Sequence, residues 1–249
     1  MKKFLLFFFL LLCYQAEKVH AQLFGGQLKS TPSSFPPGHV NCNPKFQTAV
    51  VEVTSPRTGK KWMDRNLGAE RVAESITDDL GFGDLYQWGR GADGHQCRDS
   101  RTRNGPTSLD QPGHGDFLVI RNSVSDDWRS TQNNNLWQGI AGENNPCPSG
   151  FRIPTKTEFD NEKIEFDSGV KAVNSCVKLP YAGWRDELGV IYDESLAGTT
   201  LVPYGFLWTS TVSGGNSSND AEAFAYYSTR TFHNPYARAR GYSVRCIKN

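Results

Sequence analysis

The sequence predicts an α+β domain of short antiparallel strands, one or two helices and long irregular loops. Short runs rich in β-branched and aromatic residues recur along the chain, bounded by clusters of Gly, Pro, Asn and Asp, the pattern of strands joined by turns. One segment, opening at Thr155, carries a strong helix-start signal. Residues 84–142 show little periodicity yet hold Tyr86, Trp88, Phe117, Trp128 and Trp137, and rings of that size gain too much from burial to sit in a solvated linker. Few helical periods among many short strands fit an α+β class.

At the N-terminus, Lys2 and Lys3 precede an unbroken apolar run over residues 4–12. Charge followed by a run too short to span a bilayer is the order of a secretory signal peptide. The small residue Ala21 closes a more polar stretch, so residues 1–21 are expected to be removed. A buried N-terminal strand or uncleaved anchor, and lipidation at Cys13, are the alternatives; bulky Leu12 before Cys13 argues against the last. No later stretch approaches the roughly 20 apolar residues of a membrane span.

Residues 22–41 carry Gly25-Gly26, Pro32, Pro36-Pro37 and Gly38 and read as a linker or extended arm. The domain is expected over 42–249, a length that fits one large unit. Residues 48–54 are β-branched, Pro56-Arg57-Thr58-Gly59 is a turn, and residues 60–63 return, which predicts a hairpin. Thr155 with Glu158 three residues later forms a capping box, Phe159 and Ile164 continue the helical period, and the helix is expected to end by Gly169. Residues 177–184, 205–211, 221–228 and 242–247 read as short antiparallel strands.

Losing Lys2, Lys3, Lys18 and Glu17 with the signal takes 27 basic and 26 acidic residues to 24 and 25, a net charge of −1. That balance offers no basic stripe for a nucleic acid. Cysteines remain at 42, 97, 147, 176 and 246. An oxidising compartment lets distant cysteines pair, and an odd count leaves a free thiol or an intermolecular bridge.

Several blocks carry a family resemblance. They include Thr58-Gly59-Lys60-Lys61-Trp62-Met63-Asp64-Arg65-Asn66-Leu67-Gly68, Gly83-Asp84-Leu85-Tyr86-Gln87-Trp88-Gly89-Arg90 and Asn145-Pro146-Cys147-Pro148-Ser149-Gly150-Phe151-Arg152-Ile153-Pro154-Thr155. Leu207-Trp208-Thr209-Ser210-Thr211 and the closing Gly241-Tyr242-Ser243-Val244-Arg245-Cys246 complete the series. Over about residues 40–249 the chain resembles the Fibrobacter succinogenes major paralogous domain family. The resemblance implies an exported bacterial protein with a C-type-lectin-like fold, in the version used by formylglycine-generating enzymes. On that resemblance Cys147 and Cys246, both in framework blocks, are the expected disulfide, closing a loop of about 100 residues and contributing about 4 kcal/mol in the chain-entropy model. Cys42 with Cys97 is the second pair and Cys176 the odd thiol; all thiols free and buried is the alternative.

Fold does not carry function with it, so each chemistry is weighed separately. Formylglycine-type oxidation needs paired thiolates for copper, and residues 236–240 contain none. The Glu-Pro-Asn, Gln-Pro-Asp and Trp-Asn-Asp tripeptides of calcium-dependent sugar binding are absent. Asp78, Asp79, Asp84, Asp93 and Asp99 supply oxygens for a structural calcium or, as the default, Asx turns. His95, Cys97 and His114 lack a fourth zinc ligand, so no metal is assigned. No hydrolase or phosphate-loop motif occurs, and Asp126-Asp127 and Asp186-Glu187 read as solvated turns rather than a glycosidase pair. No catalytic residue is assigned.

Residues 213–240 are the most suggestive span, rich in Tyr, Arg, Asn, Ser and Gly, the residue types of adaptable binding surfaces. In the lectin-like fold this region forms the ligand face. Trp208, Tyr226, Tyr227, Arg230, His233, Asn234, Tyr236, Arg238 and Arg240 are therefore the candidate ligand-binding residues, against the alternative that a tyrosine alternates into the core and the arginines are solvated. The expectation is a secreted or cell-surface, non-catalytic module for an extracellular glycan or protein ligand. A structural or adhesion component of the surface is the alternative, and an enzyme stands third.

Overall fold

The computed structural model describes residues 34–121, 126–163, 167–193, 204–214 and 219–249. The expected signal, Cys13, residues 22–33 of the expected arm, Ile164 and residues 215–218 of the candidate span lie outside the described residues. Strands β1 (Glu52–Thr54), β2 (Lys61–Met63), β3 (Tyr86–Gln87), β4 (Thr102–Asn104), β5 (Phe117–Val119) and β6 (Phe151–Arg152) precede two helices, α1 (Lys156–Glu162) and α2 (Gly169–Asn174). Strands β7 (Trp184–Arg185), β8 (Ile191–Tyr192), β9 (Gly205–Val212), β10 (Asp220–Tyr226), β11 (Thr231–Ala237), β12 (Gly241–Tyr242) and β13 (Ile247–Lys248) follow. This is an α+β arrangement, and its strand pairs are antiparallel except for β4 with β5.

The predicted hairpin is β1–β2, pairing Glu52 with Met63 and Thr54 with Lys61. Ser55 closes it: its Oγ accepts the amides of Arg57 and Thr58, each at 3.2 Å, and Gly59 supplies the positive φ. The chain end returns beside it, for β13 lies between β2 and β6, with Ile247 opposite Trp62 and Arg152.

The capping box forms as predicted. Thr155 Oγ1 accepts from Glu158 N at 3.2 Å and Glu158 Oε2 accepts from Thr155 N at 2.8 Å, an arrangement that contributes about 1 kcal/mol. Helix α1 buries Phe159 between Trp62 and Phe224, with ring centroids 5.1 Å away on each side. Its last residue, Glu162, is 3% exposed and accepts from Ser55 Oγ, Thr58 Oγ1 and Trp62 Nε1, which ties the helix to the hairpin. Helix α1 ends at Glu162, and Gly169, the expected limit of that helix, opens α2, which Ser168 caps.

The irregular middle region is packed, as its aromatic content requires. Trp88, Trp128 and Trp137 are essentially unexposed, and each indole N–H reaches a backbone carbonyl: Thr209, Trp88, and both Arg90 and Asn144 respectively. Buried arginines complete the accounting of backbone acceptors. Arg90 donates to the carbonyls of His114 and Asp116, and Arg185 to those of Ser100 and Gly189 while stacking 4.2 Å from the Phe117 ring.

Two predicted strands are broken. Residues 177–182 are buried apart from half-buried Lys178 but form no ladder, because Lys178 takes φ 49° and the carbonyls of Val177 and Lys178 accept from Arg245 instead of a neighbouring strand. The same guanidinium lies inside the predicted 242–247 strand, which separates into β12 and β13. A strand was missed as well: β11 falls within the candidate ligand-binding span, past the predicted 221–228 strand.

The expected arm is fastened where it is described. Phe35 packs on the core, Ser34 O accepts from Ser149 N, Val40 N donates to Ala92 O, and Cys42 is bonded to Cys97. Cys147–Cys246 is the other described bridge. Cys176 is disulfide-bonded too, which corrects its assignment as the odd thiol. That assignment rested on removing residues 1–21, whereas the whole chain has six cysteines, an even number. Among the described residues no helix is long and apolar enough to cross a membrane.

Candidate functional site

The site is built on the three-stranded sheet ordered β11-β10-β9. Alternation gives this sheet two unlike faces. Leu207, Phe224, Tyr226 and His233 turn toward α1, while Phe206, Trp208, Phe232 and Tyr236 turn the other way with Ala221, Ala223 and Ala225 between them. β10 is small where its neighbours are large: Ala223 lies opposite Trp208, Ala225 opposite Phe206 and Phe232, Ala221 opposite Tyr236. The alanines leave volume for the rings to interleave rather than stand apart.

The β7–β8 hairpin brings more rings to this side. Asp186 fixes its turn, accepting the amides of Leu188 and Val190 on Oδ1 and the Tyr192 hydroxyl on Oδ2. Trp184 then stacks on Tyr192, with centroids 4.9 Å apart and planes 10° from parallel. From Trp184 the ring contacts run to Tyr204 at 5.6 Å and Phe206 at 5.3 Å, and from Tyr204 to Tyr227 at 4.3 Å. They continue from Tyr227 to Phe232 at 5.0 Å and from Phe206 to Tyr236 at 5.5 Å. Trp184, Tyr192, Tyr204, Tyr227, Phe232 and Tyr236 are each half-buried, so the rings form one continuous, partly solvated aromatic face. Val190, 49% exposed, extends it at the hairpin tip.

Charged groups rim this face. Arg240 lies over Tyr236 and donates from Nε to Glu187 Oε2 at 2.8 Å. Burial pushes the Glu187 carboxyl up, but the hydrogen bond and charge of Arg240, with a backbone hydrogen bond, together outweigh it and the net shift is downward. Arg230, exposed, lies over both Tyr227 and Phe232.

The nine candidate residues divide accordingly. Tyr227, Arg230, Tyr236 and Arg240 sit on the face or its rim, and exposed Asn234 shares its strand parity with Phe232 and Tyr236. Trp208 and Tyr226 are 0% exposed and Arg238 is 1% exposed, which places these three in the core. Trp208 donates to Tyr86 O and Tyr226 to Pro180 O, each at 2.7 Å. Arg238 lies 4.4 Å from the Trp88 ring and 3.7 Å from Asp127, whose carboxyl burial pushes up to about 6. His233 turns to the opposite face, beside Phe224 and Asp160, and burial pulls its imidazole down to about 4. Trp184, Tyr192 and Tyr204 were missed by sequence reasoning, although the Asp186 to Gly189 turn between Trp184 and Tyr192 is a legible hairpin signal.

Several of the groups weighed for metal or hydrolytic chemistry are engaged elsewhere. Cys97 is in its disulfide, and His95 Nδ1 contacts Asp93 Oδ1 at 2.6 Å while Nε2 accepts from Gln87 N. Asp93 also pairs with Arg90, and Asp78 with Arg71. Among the described residues no group of three or more His, Cys, Asp and Glu is gathered for a metal. A separate cleft of about 420 Å³ is lined by Arg57, Thr58, Lys60, Glu158 and Asn161, but Glu158 is held bidentately by Arg152, and Arg57 Nε donates to Asn161 O.

Asp84 is also internal. It is 7% exposed and pressed against Gly68, where a Cβ would land on its carboxylate. Burial pushes this carboxyl up to about 7 despite the opposing charge of Arg98. The unfolded carboxyl ionises near 4, so between about pH 4 and 7 the folded chain holds a proton that the unfolded chain has released, and stability falls as pH rises. Asp84→Asn removes that slope. Its unfolding free energy relative to the parent is expected to grow by about 2 kcal/mol from pH 5 to pH 8 in urea titrations. A pH-independent difference would contradict the assignment.

In comparison with known proteins, no family model, no curated protein and no solved structure matches the chain.

Proposed function

We propose that the chain is an exported, non-catalytic binding module of C-type-lectin-like fold whose aromatic face holds a carbohydrate. The observation that carries this reading is the half-buried run of Trp184, Tyr192, Tyr204 and Tyr227, joined to half-buried Tyr236 through the buried ring of Phe206. A pyranose ring presents an apolar C–H face and a polar hydroxyl rim. Aromatic planes suit the first, while the tyrosine hydroxyls, Asn234 and the groups around Arg240 suit the second. The family resemblance and the signal-like residues 1–21 support export, and two described disulfides are compatible with an oxidising compartment.

Strand addition is a poor alternative route to a partner. β11 is an edge strand, and Tyr227 N donates to Arg230 O at the head of its hairpin with β10. Counting alternately from that bonded pair places Pro235, opposite Glu222, at a position whose backbone nitrogen points outward. A proline there removes a donor from the free edge. Recognition through ring faces is favoured over recognition through backbone.

Titration of the mature domain with hits from a glycan array tests the reading. Tyr227→Ala is expected to weaken binding about tenfold or more, about 1.4 kcal/mol, with an unchanged circular dichroism spectrum. Absence of any glycan hit, together with surface assembly disrupted by the same substitution, would instead favour the adhesion role.

A further inference from the structure

We infer that the sugar held on this face is acidic, and that its carboxylate is read by Arg230. The inference rests on the carbohydrate reading above and names the class of sugar. Two arginines border the aromatic face and their circumstances differ. Arg240 is matched by Glu187, to which Nε donates at 2.8 Å. Arg230 is exposed at the turn between β10 and β11, and its guanidinium carbon lies 5.5 Å from the Tyr227 ring centroid and 5.2 Å from that of Phe232. Among the described residues no carboxylate pairs with Arg230; the two rings and its own backbone bond to Tyr227 are its contacts.

Two rings supply attraction and orientation to a guanidinium without neutralising it. A guanidinium so placed keeps its planar fork of donors for an outside acceptor, and the acceptor that fits a fork is a carboxylate bound bidentately. The charge is also asymmetric along the face. The end near Glu187 is internally compensated, and the end at the β10–β11 turn is not. A sugar chain stacking on Tyr227 therefore meets an uncompensated positive charge at that end, which selects a uronic acid unit over a neutral hexose there.

The test compares acidic oligosaccharides with their own methyl esters, which keep the ring faces and remove the charge. Oligogalacturonate, oligomannuronate and hyaluronan oligomers serve as probes for parent, Arg230→Gln and Tyr227→Ala chains. The expected result is that the parent binds at least one acidic probe about tenfold more tightly than its ester, with a preference that shrinks at high salt. Arg230→Gln should lose the preference while still binding the ester as the parent does, whereas Tyr227→Ala should weaken both. Equal binding of acid and ester by the parent, or a preference that survives Arg230→Gln, overturns the role of Arg230 and leaves the carbohydrate reading in place. No binding of any acidic, esterified or neutral glycan overturns both.

Discussion

Arg245→Met is expected to cost about 4 kcal/mol or more, enough to leave the domain unfolded or barely folded at 25 °C. Arg245 is 0% exposed. Its Nε and Nη2 donate to Asn66 Oδ1 at 3.1 and 2.9 Å, Nη1 donates to the carbonyls of Met63 and Val177, and Nη2 also reaches Lys178 O at 3.2 Å. Burial pulls the guanidinium down to about 10, so it remains charged at neutral pH. Methionine has similar length but no donor. Three buried carbonyls and one amide oxygen would each lose this partner, at about 1 kcal/mol apiece or more. Replacing a buried ion pair by apolar groups is often neutral when both partners go together, but these partners are mostly backbone and cannot be removed. Arg245→Lys keeps the charge without the planar fork and should recover only part of the loss. Urea unfolding followed by tryptophan fluorescence measures it, and a loss below about 1 kcal/mol would falsify the account.

The same residue explains where the fold was legible in sequence and where it was not. Local signals were reliable: the Thr155 and Glu158 capping box, the turn at residues 55–60, and burial of the middle aromatics all depend on neighbours in the chain or on bulk hydrophobicity. Residues 177–182 failed as a strand because the carbonyls of Val177 and Lys178 are taken by a side chain distant in sequence, and 243–246 because their backbone bonds go singly to Phe206, Trp208, Leu67 and Met63 rather than to one neighbouring strand. Nothing local announces that the carbonyls of Val177 and Lys178 will be taken by Arg245. β11 was missed for a different reason. Pro235 demotes a strand reading, yet it is tolerated here because its nitrogen faces the open edge.

The site was half legible, and alternation explains the division. Tyr, Arg and Asn enrichment located the β10–β11 hairpin, but composition carries no parity. Tyr226 and Tyr227 are adjacent, and one goes to the core while the other stays on the face. Trp184, Tyr192 and Tyr204 join that face only through tertiary pairing, with Gly183 bridged to Gly205 and β7 beside β12. Arg238 looked like its neighbours Arg230 and Arg240, and only the approach of Trp88 and Asp127 distinguishes it.

Removing the Cys147–Cys246 bridge is the second large effect, expected to lower stability by about 4 kcal/mol. The bridge spans a sequence separation of 99, and its constraint on the unfolded chain grows with the logarithm of that length. It also joins the segments that lead into two adjacent strands of the β1-β2-β13-β6 sheet, one from the middle of the domain and one from its end. Cys147 precedes β6, Cys246 precedes β13, and Met63 N donates to Cys246 O at 2.9 Å. Both cysteines are buried in the main core cluster, 2% and 0% exposed, so a reducing agent must wait for partial opening. The double substitution Cys147→Ala and Cys246→Ala avoids a stray thiol and isolates this bridge from the others, which dithiothreitol would reduce as well. By chain entropy alone, the Cys42–Cys97 bridge, spanning 55 residues, should be worth only about 0.5 kcal/mol less. Its chain-terminal side is a peripheral arm rather than a central strand, so the arm can fray without unfolding the sheet. The two double variants therefore separate loop length from position. Cys147→Ala with Cys246→Ala should lower the urea midpoint of the whole cooperative transition, while Cys42→Ala with Cys97→Ala should chiefly raise hydrogen exchange and proteolysis over residues 34–42. Equal global losses in both would mean that loop entropy alone decides, and that the sheet gains nothing from where its bridge is placed.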